Sequence, residues 1–257
     1  MKKTYVFLSI VLLLFVCNTI FAENQPAKDL VASLAKIPGL ADSPEKGAFV
    51  DIVKAIDEIY PGNIKIEVVP FERSIKSVLE GKADFHIPII RNPVVSSANL
   101  PYRYVTEKIG TVPIVIYSNK AKIVTRKNIE DAVAKGGKFP YIIEVAGGLE
   151  PIYPFPSVPS NNSEGSLRKV QSQRADAFLF GNEVDEIVKS LKLGAIHREL
   201  YGNFDDAMVI AKGPKGDELD KILSDCLKKL RTSGRLQTLV NKVHQPYNGW
   251  QPADMGW

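Results

Sequence analysis

The alternation of helical and strand-like periods between residues 47 and 92 constrains this chain more than any other feature. The segment AFVDIVKAIDEIYPG sets Phe49, Ile52, Val53, Ile56, Ile59 and Tyr60 on one helical face and closes on Pro61 and Gly62. A strand in IKIEVVP follows, then a helix in FERSIKSVLEGK, then an apolar strand in DFHIPII that runs up to Arg91. Short links between such segments imply a β-α-β-α-β unit, because parallel strands need a crossover and the crossover here is helical. The fold class expected is α/β.

The later residues repeat this vocabulary. GKFPYIIEVAG reads as strand then turn, SEGSLRKVQSQRADAFLF as helix then strand, and NEVDEIVKSLKL as helix. Between them EPIYPFPSVPSNNSEG, rich in Pro, Ser and Asn, is expected as a surface loop. DDAMVIAKG reads as a strand followed by two helices, with Gly234 where the first should stop. In that first helix Leu219, Ile222, Leu223, Cys226, Leu227 and Leu230 share one stripe, so Cys226 is expected as a small buried apolar group. A chain that builds one lobe, then a second, and returns to finish the first crosses between them twice. The expected result is two lobes on a double-crossover hinge, with a cleft between.

Composition excludes several classes. With 45% hydrophobic and 24% charged residues, disorder and fibres are out. The stretch MKKTYVFLSIVLLLFVCNTIFA has the build of an export signal, expected to be cleaved near Ala22 and to deliver the protein to the periplasm. Phe15 and Val16 ahead of Cys17 argue against lipid attachment there. Loss of Lys2 and Lys3 takes the 33 basic residues to 31 against 29 acidic, a formal +2, which gives no reason to invoke nucleic acid. Only Cys226 then remains, so no internal disulfide is expected. His86, His197 and His244 lack metal-site spacing, and no G-x-S-x-G, H-E-x-x-H or phosphate-loop motif occurs. No metal, cofactor or catalytic residue is expected on these grounds.

Several segments, taken in order, resemble the periplasmic solute-binding proteins of the polar amino-acid type. These are GAFVDIVKAI, PFERSIKSVLEGKADF, SSANLPYRY, SLRKVQSQRADAFLF and GDELDKILSDCLKKLRTSGRLQTLVNKV, which span most of the chain. The resemblance implies the type II periplasmic-binding-protein fold, with residues 23–102 and 208–257 forming lobe one and 103–207 forming lobe two. It also implies a non-enzymatic, monomeric protein that captures a small, carboxylate-bearing solute, an amino acid or organic acid, for an ABC-transporter permease. Two alternatives stay open: a ligand-sensing protein for a membrane receptor, and a secreted enzyme on the same scaffold that dehydrates cyclic acids with Glu144 and Glu183.

Ligands in open α/β sheets bind at the carboxyl ends of the strands. Arg91 ends a strand, so its guanidinium is a candidate clamp for a carboxylate, with Arg73 at the head of the preceding helix as a second. For either residue, pairing with a nearby surface acid is the competing reading. Ser96 and Ser97 offer hydroxyls, Tyr102 stands at the expected crossover, and Phe71 offers an apolar wall. By resemblance Gly147 and Gly148 present backbone N–H groups to a ligand carboxylate. The chain departs from the amino-acid binders after DAFLF, where Gly181, Asn182 and Glu183 stand in place of the ammonium-binding aspartate. Asn182 and Glu183 are therefore the candidates there, and a small organic acid, a modified amino acid or a peptide fragment is the expected ligand class.

Overall fold

Three parallel strands open the structure, a computed structural model that describes residues 28–257. They are β1 (Leu30–Ala35), β2 (Ile64–Val69) and β3 (Phe85–Arg91), connected through helices α1 (Ala48–Asp57) and α2 (Phe71–Leu79). The boundaries follow from the periods in the sequence: α1 buries Phe49, Ile52, Val53 and Ile56 on one face, and every β3 residue before Arg91 is buried. The expected export signal lies outside the described residues. Among those residues no helix is long and apolar enough to cross a membrane.

The chain continues through β4 (Arg103–Tyr104), β5 (Gly110–Asn119), α3 (Arg126–Lys135), β6 (Ile143–Ala146), β7 (Val158–Ser160), α4 (Ser163–Gln171), β8 (Ala177–Gly181) and α5 (Asp185–Ser190). It then enters β9 (Ile196–Ile210) and ends with α6 (Pro214–Thr232) and α7 (Arg235–Val243). Gly234, at φ 75°, makes the left-handed turn between the last two helices that the sequence predicts.

All the strands belong to one hydrogen-bonded sheet, ordered β2-β1-β3-β9-β5-β8-β6-β7, with β4 also beside β9. Strand β9 joins its two halves. From Ile196 to Asn203 it pairs antiparallel with β5; Asp205 and Asp206 pair with both β5 and β3; Ala207 continues along β3, and Val209 and Ile210 pair with β3 and β4. The antiparallel steps at β3-β9, β9-β5 and β5-β8 separate two parallel runs, β2-β1-β3 and β8-β6-β7.

Two apolar cores follow this division. One gathers β1, α1, α6 and α7, including Leu34, Ile52, Leu223, Cys226 and Leu239. The other gathers β5, β6, β8 and α4 with Ile75 and Val78 of α2 and Ile89 and Ile90 of β3, so it continues across the boundary between the parallel runs. The stretch 150–165, expected as a surface loop, is a correction: Ile152, Tyr153 and Phe155 are buried in this second core, and Val158–Ser160 form an edge strand. Prolines end regular elements without forcing the intervening aromatics into water.

Residues after α7 leave the first core and lie against the second half of the sheet. The anchor is Arg198 on β9, whose side chain is fully buried. Its Nε donates to Asp185 Oδ1 at 2.8 Å, its Nη1 donates to the Trp250 carbonyl, and its guanidinium lies 4.2 Å from the Trp250 ring centroid. Tyr117 also donates to Asp185 Oδ1 at 2.8 Å. A buried ion pair is costly to break from one side, since the remaining charge stays desolvated. Asp185→Ala is therefore expected to lower the unfolding free energy by about 3–5 kcal/mol in urea titrations, whereas the double change Asp185→Leu with Arg198→Met costs much less. Equal losses in the two proteins would contradict this reading.

Candidate functional site

A cavity of about 40 Å³ is lined by the carboxyl-end residues of β3 and β8, the strands that flank β9 and β5 in the sheet. That volume holds about one or two waters, so any larger solute needs the two sides to part. Its apolar walls include Ile37, Phe49, Phe71, Ile89, Ile90, Ile114, Tyr153 and Phe180; its ionisable groups are Glu183, Asp206 and His244.

Each acid reaches the cavity for a local reason. Successive β9 side chains point to opposite faces, so Asp205 turns to Lys108, with Oδ1 2.6 Å from Nζ, while Asp206 shares its face with Met208 and Ile210. Asp206 is only 1% exposed, and its Oδ2 lies 2.7 Å from His244 Nε2 at the end of α7. Glu183 follows β8, and its carboxyl folds back over Gly181, where a Cβ would collide with it. Part of the residue reaches the surface, yet Oε2 itself is buried. Glu183 Oε2, Asp206 Oδ1 and His244 Nδ1 are all buried without a hydrogen-bond partner among the described residues. Leaving such atoms unpaired costs about 1–3 kcal/mol each, so three at one cavity are the mark of a built site.

Protonation follows from burial. Desolvation pushes the Glu183 carboxyl from the usual 4.5 up to about 7, and the charges of Asp206 and Asp185 add to the rise, against the pull of its own backbone N–H and of His244. Burial also raises Asp206, although its bond to His244 opposes that. For His244 burial works against the protonated ring, but the hydrogen bond and charge of Asp206 outweigh it and the ring is raised. Below about pH 7, with Glu183 protonated and one proton held between Asp206 and His244, the cluster carries no net charge.

The residues singled out from sequence are distributed around this cavity rather than gathered in it. Phe71 and Glu183 line it. Arg91 does not: its guanidinium donates to the Val105 carbonyl and lies 5.1 Å from the centroid of the Tyr104 ring, inside the connection between the halves. Arg73, Ser96 and Ser97 are exposed and away from the lining residues. Tyr102 is buried in the second core beside Tyr104, with its hydroxyl unpartnered. Asn182 donates to the Gln245 carbonyl at 2.8 Å and holds the terminal segment.

Gly147 and Gly148 pack against Glu72 of α2, and at Gly148 (φ 91°) a Cβ would stand 3.3 Å from the Glu72 Cα. Their N–H groups are not free: Gly147 donates to the Ser160 carbonyl at 3.0 Å and Gly148 to Glu150 Oε2 at 2.6 Å. Glu144 is likewise engaged, accepting from Ser166 and from Lys169 at 2.6 Å, and does not join Glu183. Asp206 and His244 were not anticipated. The available signal was an acid on the same strand face as Met208 and Ile210.

No family model matches the sequence, and no curated protein matches it. Solved structures do. A histidine kinase sensor domain with similarity to periplasmic binding proteins aligns with a TM-score of 0.65 at 14% identity, covering 84% of this chain and 96% of that one. The substrate-binding protein of an amino acid ABC transporter aligns at 0.59 and 17%, covering 84% and 98%. An ancestral amino-acid-binding protein, a precursor of cyclohexadienyl dehydratase, aligns at 0.60 and 16%, covering 84% and 96%. The chain therefore has the mixed α/β fold of type II periplasmic-binding-protein structures over most of its length, and at these identities the likeness is one of fold.

The raised acids set a pH dependence. Between pH 4.5 and about 7 folded Glu183 holds a proton that the unfolded chain has released, so stability falls as pH rises through this window. The loss is about 3 kcal/mol in all, and Asp206 and His244, both raised, act in the same direction. Glu183→Gln is expected to flatten this slope in denaturant titrations from pH 5 to 8 and to exceed the parent in stability at pH 8. Gly181→Ala, which displaces the carboxyl, should act likewise. Curves parallel to the parent's would place Glu183 in water.

Proposed function

We propose that the protein is an extracytoplasmic solute-binding protein whose two lobes, divided near residues 102 and 208 with the segment after α7 packed on the second, close over a small molecule and present it to a membrane partner. The observation that carries this reading is the buried, unpartnered set of Glu183 Oε2, Asp206 Oδ1 and His244 Nδ1, contributed by β8's end, by β9 and by α7's end to one cavity. Groups from both sides of a cleft favour the closed form only when a solute satisfies them together, so binding shifts the population toward closure. The fold likeness includes a transporter-associated protein and a sensor domain, and either an ABC-transporter permease or a membrane receptor fits as partner.

A second reading draws on Glu183 itself. A carboxyl raised to about 7 beside an acid–histidine pair is what general acid–base chemistry needs, and one structure of similar fold is a dehydratase precursor. The two readings separate on Glu183→Gln. Lost affinity with no turnover of cyclic carboxylic acids supports binding alone, while lost turnover with affinity retained supports an enzyme.

Native mass spectrometry of freshly purified protein, followed by a thermal-shift screen of small solutes, tests the leading reading. A solute at a hundred times its Kd stabilises by about 2.7 kcal/mol, a rise in Tm of about 5–10 °C for a chain of this size. Absence of both a retained small molecule and any stabilising solute would contradict it.

A further inference from the structure

The geometry points to a cationic solute: the cleft is built to seat an ammonium group on Glu183 and Asp206, with an apolar body and no free carboxylate. This rests on the solute-binding reading above and names its ligand class.

The arginines and glycine N–H groups expected to receive a carboxylate stand outside the cavity lining, and the glycine N–H groups are bonded within the chain. Arg91 donates through Nη2 to the Val105 carbonyl and lies over the Tyr104 ring; its Nε is buried without a partner, but the residue does not line the cavity. The Gly147 N–H is bonded to Ser160, and the Gly148 N–H already holds a carboxylate, that of Glu150. Among the described residues no lysine or arginine lines the cavity. What the cavity offers are two buried carboxyl oxygens with nothing to accept from, Glu183 Oε2 and Asp206 Oδ1, beside a single unpartnered ring nitrogen, His244 Nδ1. An ionised carboxyl is acceptor only, so the complementary head is a donor, and a charged donor forms the stronger bond.

Charge bookkeeping agrees. With Glu183 protonated and Asp206 paired to His244 the cluster is neutral; an ammonium that drives the Glu183 proton off leaves two negative and two positive charges, neutral again. A carboxylate in the same place would face two acids and add an uncompensated charge to a desolvated site. The walls match the same guest, since the rings of Phe49, Phe71, Tyr153 and Phe180 line the cavity. Aromatic faces attract ammonium ions and bury alkyl or aryl bodies.

Calorimetric titration of the purified protein with matched probes tests the inference. The amines are 2-phenylethylamine and pentylamine, the zwitterions phenylalanine and norleucine, and the acids 3-phenylpropionate and hexanoate. Each amine is expected to bind at least about tenfold more tightly than its zwitterion and its acid. Tighter binding of a zwitterion or acid would overturn the cationic assignment while leaving solute binding intact. Failure of every probe at millimolar concentration, when the wider screen does find a stabilising solute, would also overturn it; failure of that screen too would take down the solute-binding reading itself. Glu183→Gln and Asp206→Asn are each expected to weaken amine binding about tenfold or more while the proteins still melt cooperatively. Parental affinity in both would be a contrary result.

Discussion

Strand β9 is the constraint on which the rest of the structure depends. It is long enough to pair antiparallel with β5 over one part of its length and with β3 over another, so one continuous backbone links the two halves of the sheet. Residues Asp205 and Asp206 sit where the two pairings overlap. Strand alternation then decides their fates, one acid turned toward Lys108 and the other turned inward. The carboxyl ends of β3 and β8 both contribute lining residues to the cavity.

Two buried polar clusters show how pairing separates structure from function. Arg198, Asp185 and Tyr117 are buried and hydrogen-bonded to one another, to the terminal segment or to both, so the cluster locks a packed arrangement. Asp206 is as deep, and Glu183 and His244 are partly buried, but each of the three retains a buried atom without a partner among the described residues, at one cavity. The first cluster contributes to stability through satisfaction; the second costs stability and is maintained where a partner molecule can repay it. Glu72 packed against Gly147 and Gly148, with Asn92 donating to the Ile152 carbonyl at 2.9 Å, holds the sides together around it.

Much of the fold was legible in the sequence because its periods are clean. The residues of α1, β2, α2 and β3 read directly, and so did the final helices with Gly234 between them. The front of β9 did not: IHRELYGNF alternates buried and partly exposed side chains without an apolar run, and its identity as a strand comes from β5. The site was less legible. Placing Arg91 at a strand end was right, but where its guanidinium goes depends on Tyr104 and Val105, which only the folded chain brings near. The N–H groups of Gly147 and Gly148 were consumed by Ser160 and Glu150, partners that a local reading of a glycine turn does not supply. His244 joins Asp206 across 38 residues of sequence, beyond the reach of any spacing motif.

The central claim is that Glu183 keeps one carboxyl oxygen, Oε2, buried at the cavity with no hydrogen-bond partner among the described residues. Carbon-detected nuclear magnetic resonance of the side-chain carboxyls, followed across pH on the protein without added solute, observes this directly. The account expects the Glu183 carboxyl to titrate near 7, well above the exposed glutamates. Titration near 4.5 together with the surface carboxylates would show the group solvated, and the cleft would then lack the chemistry assigned to it.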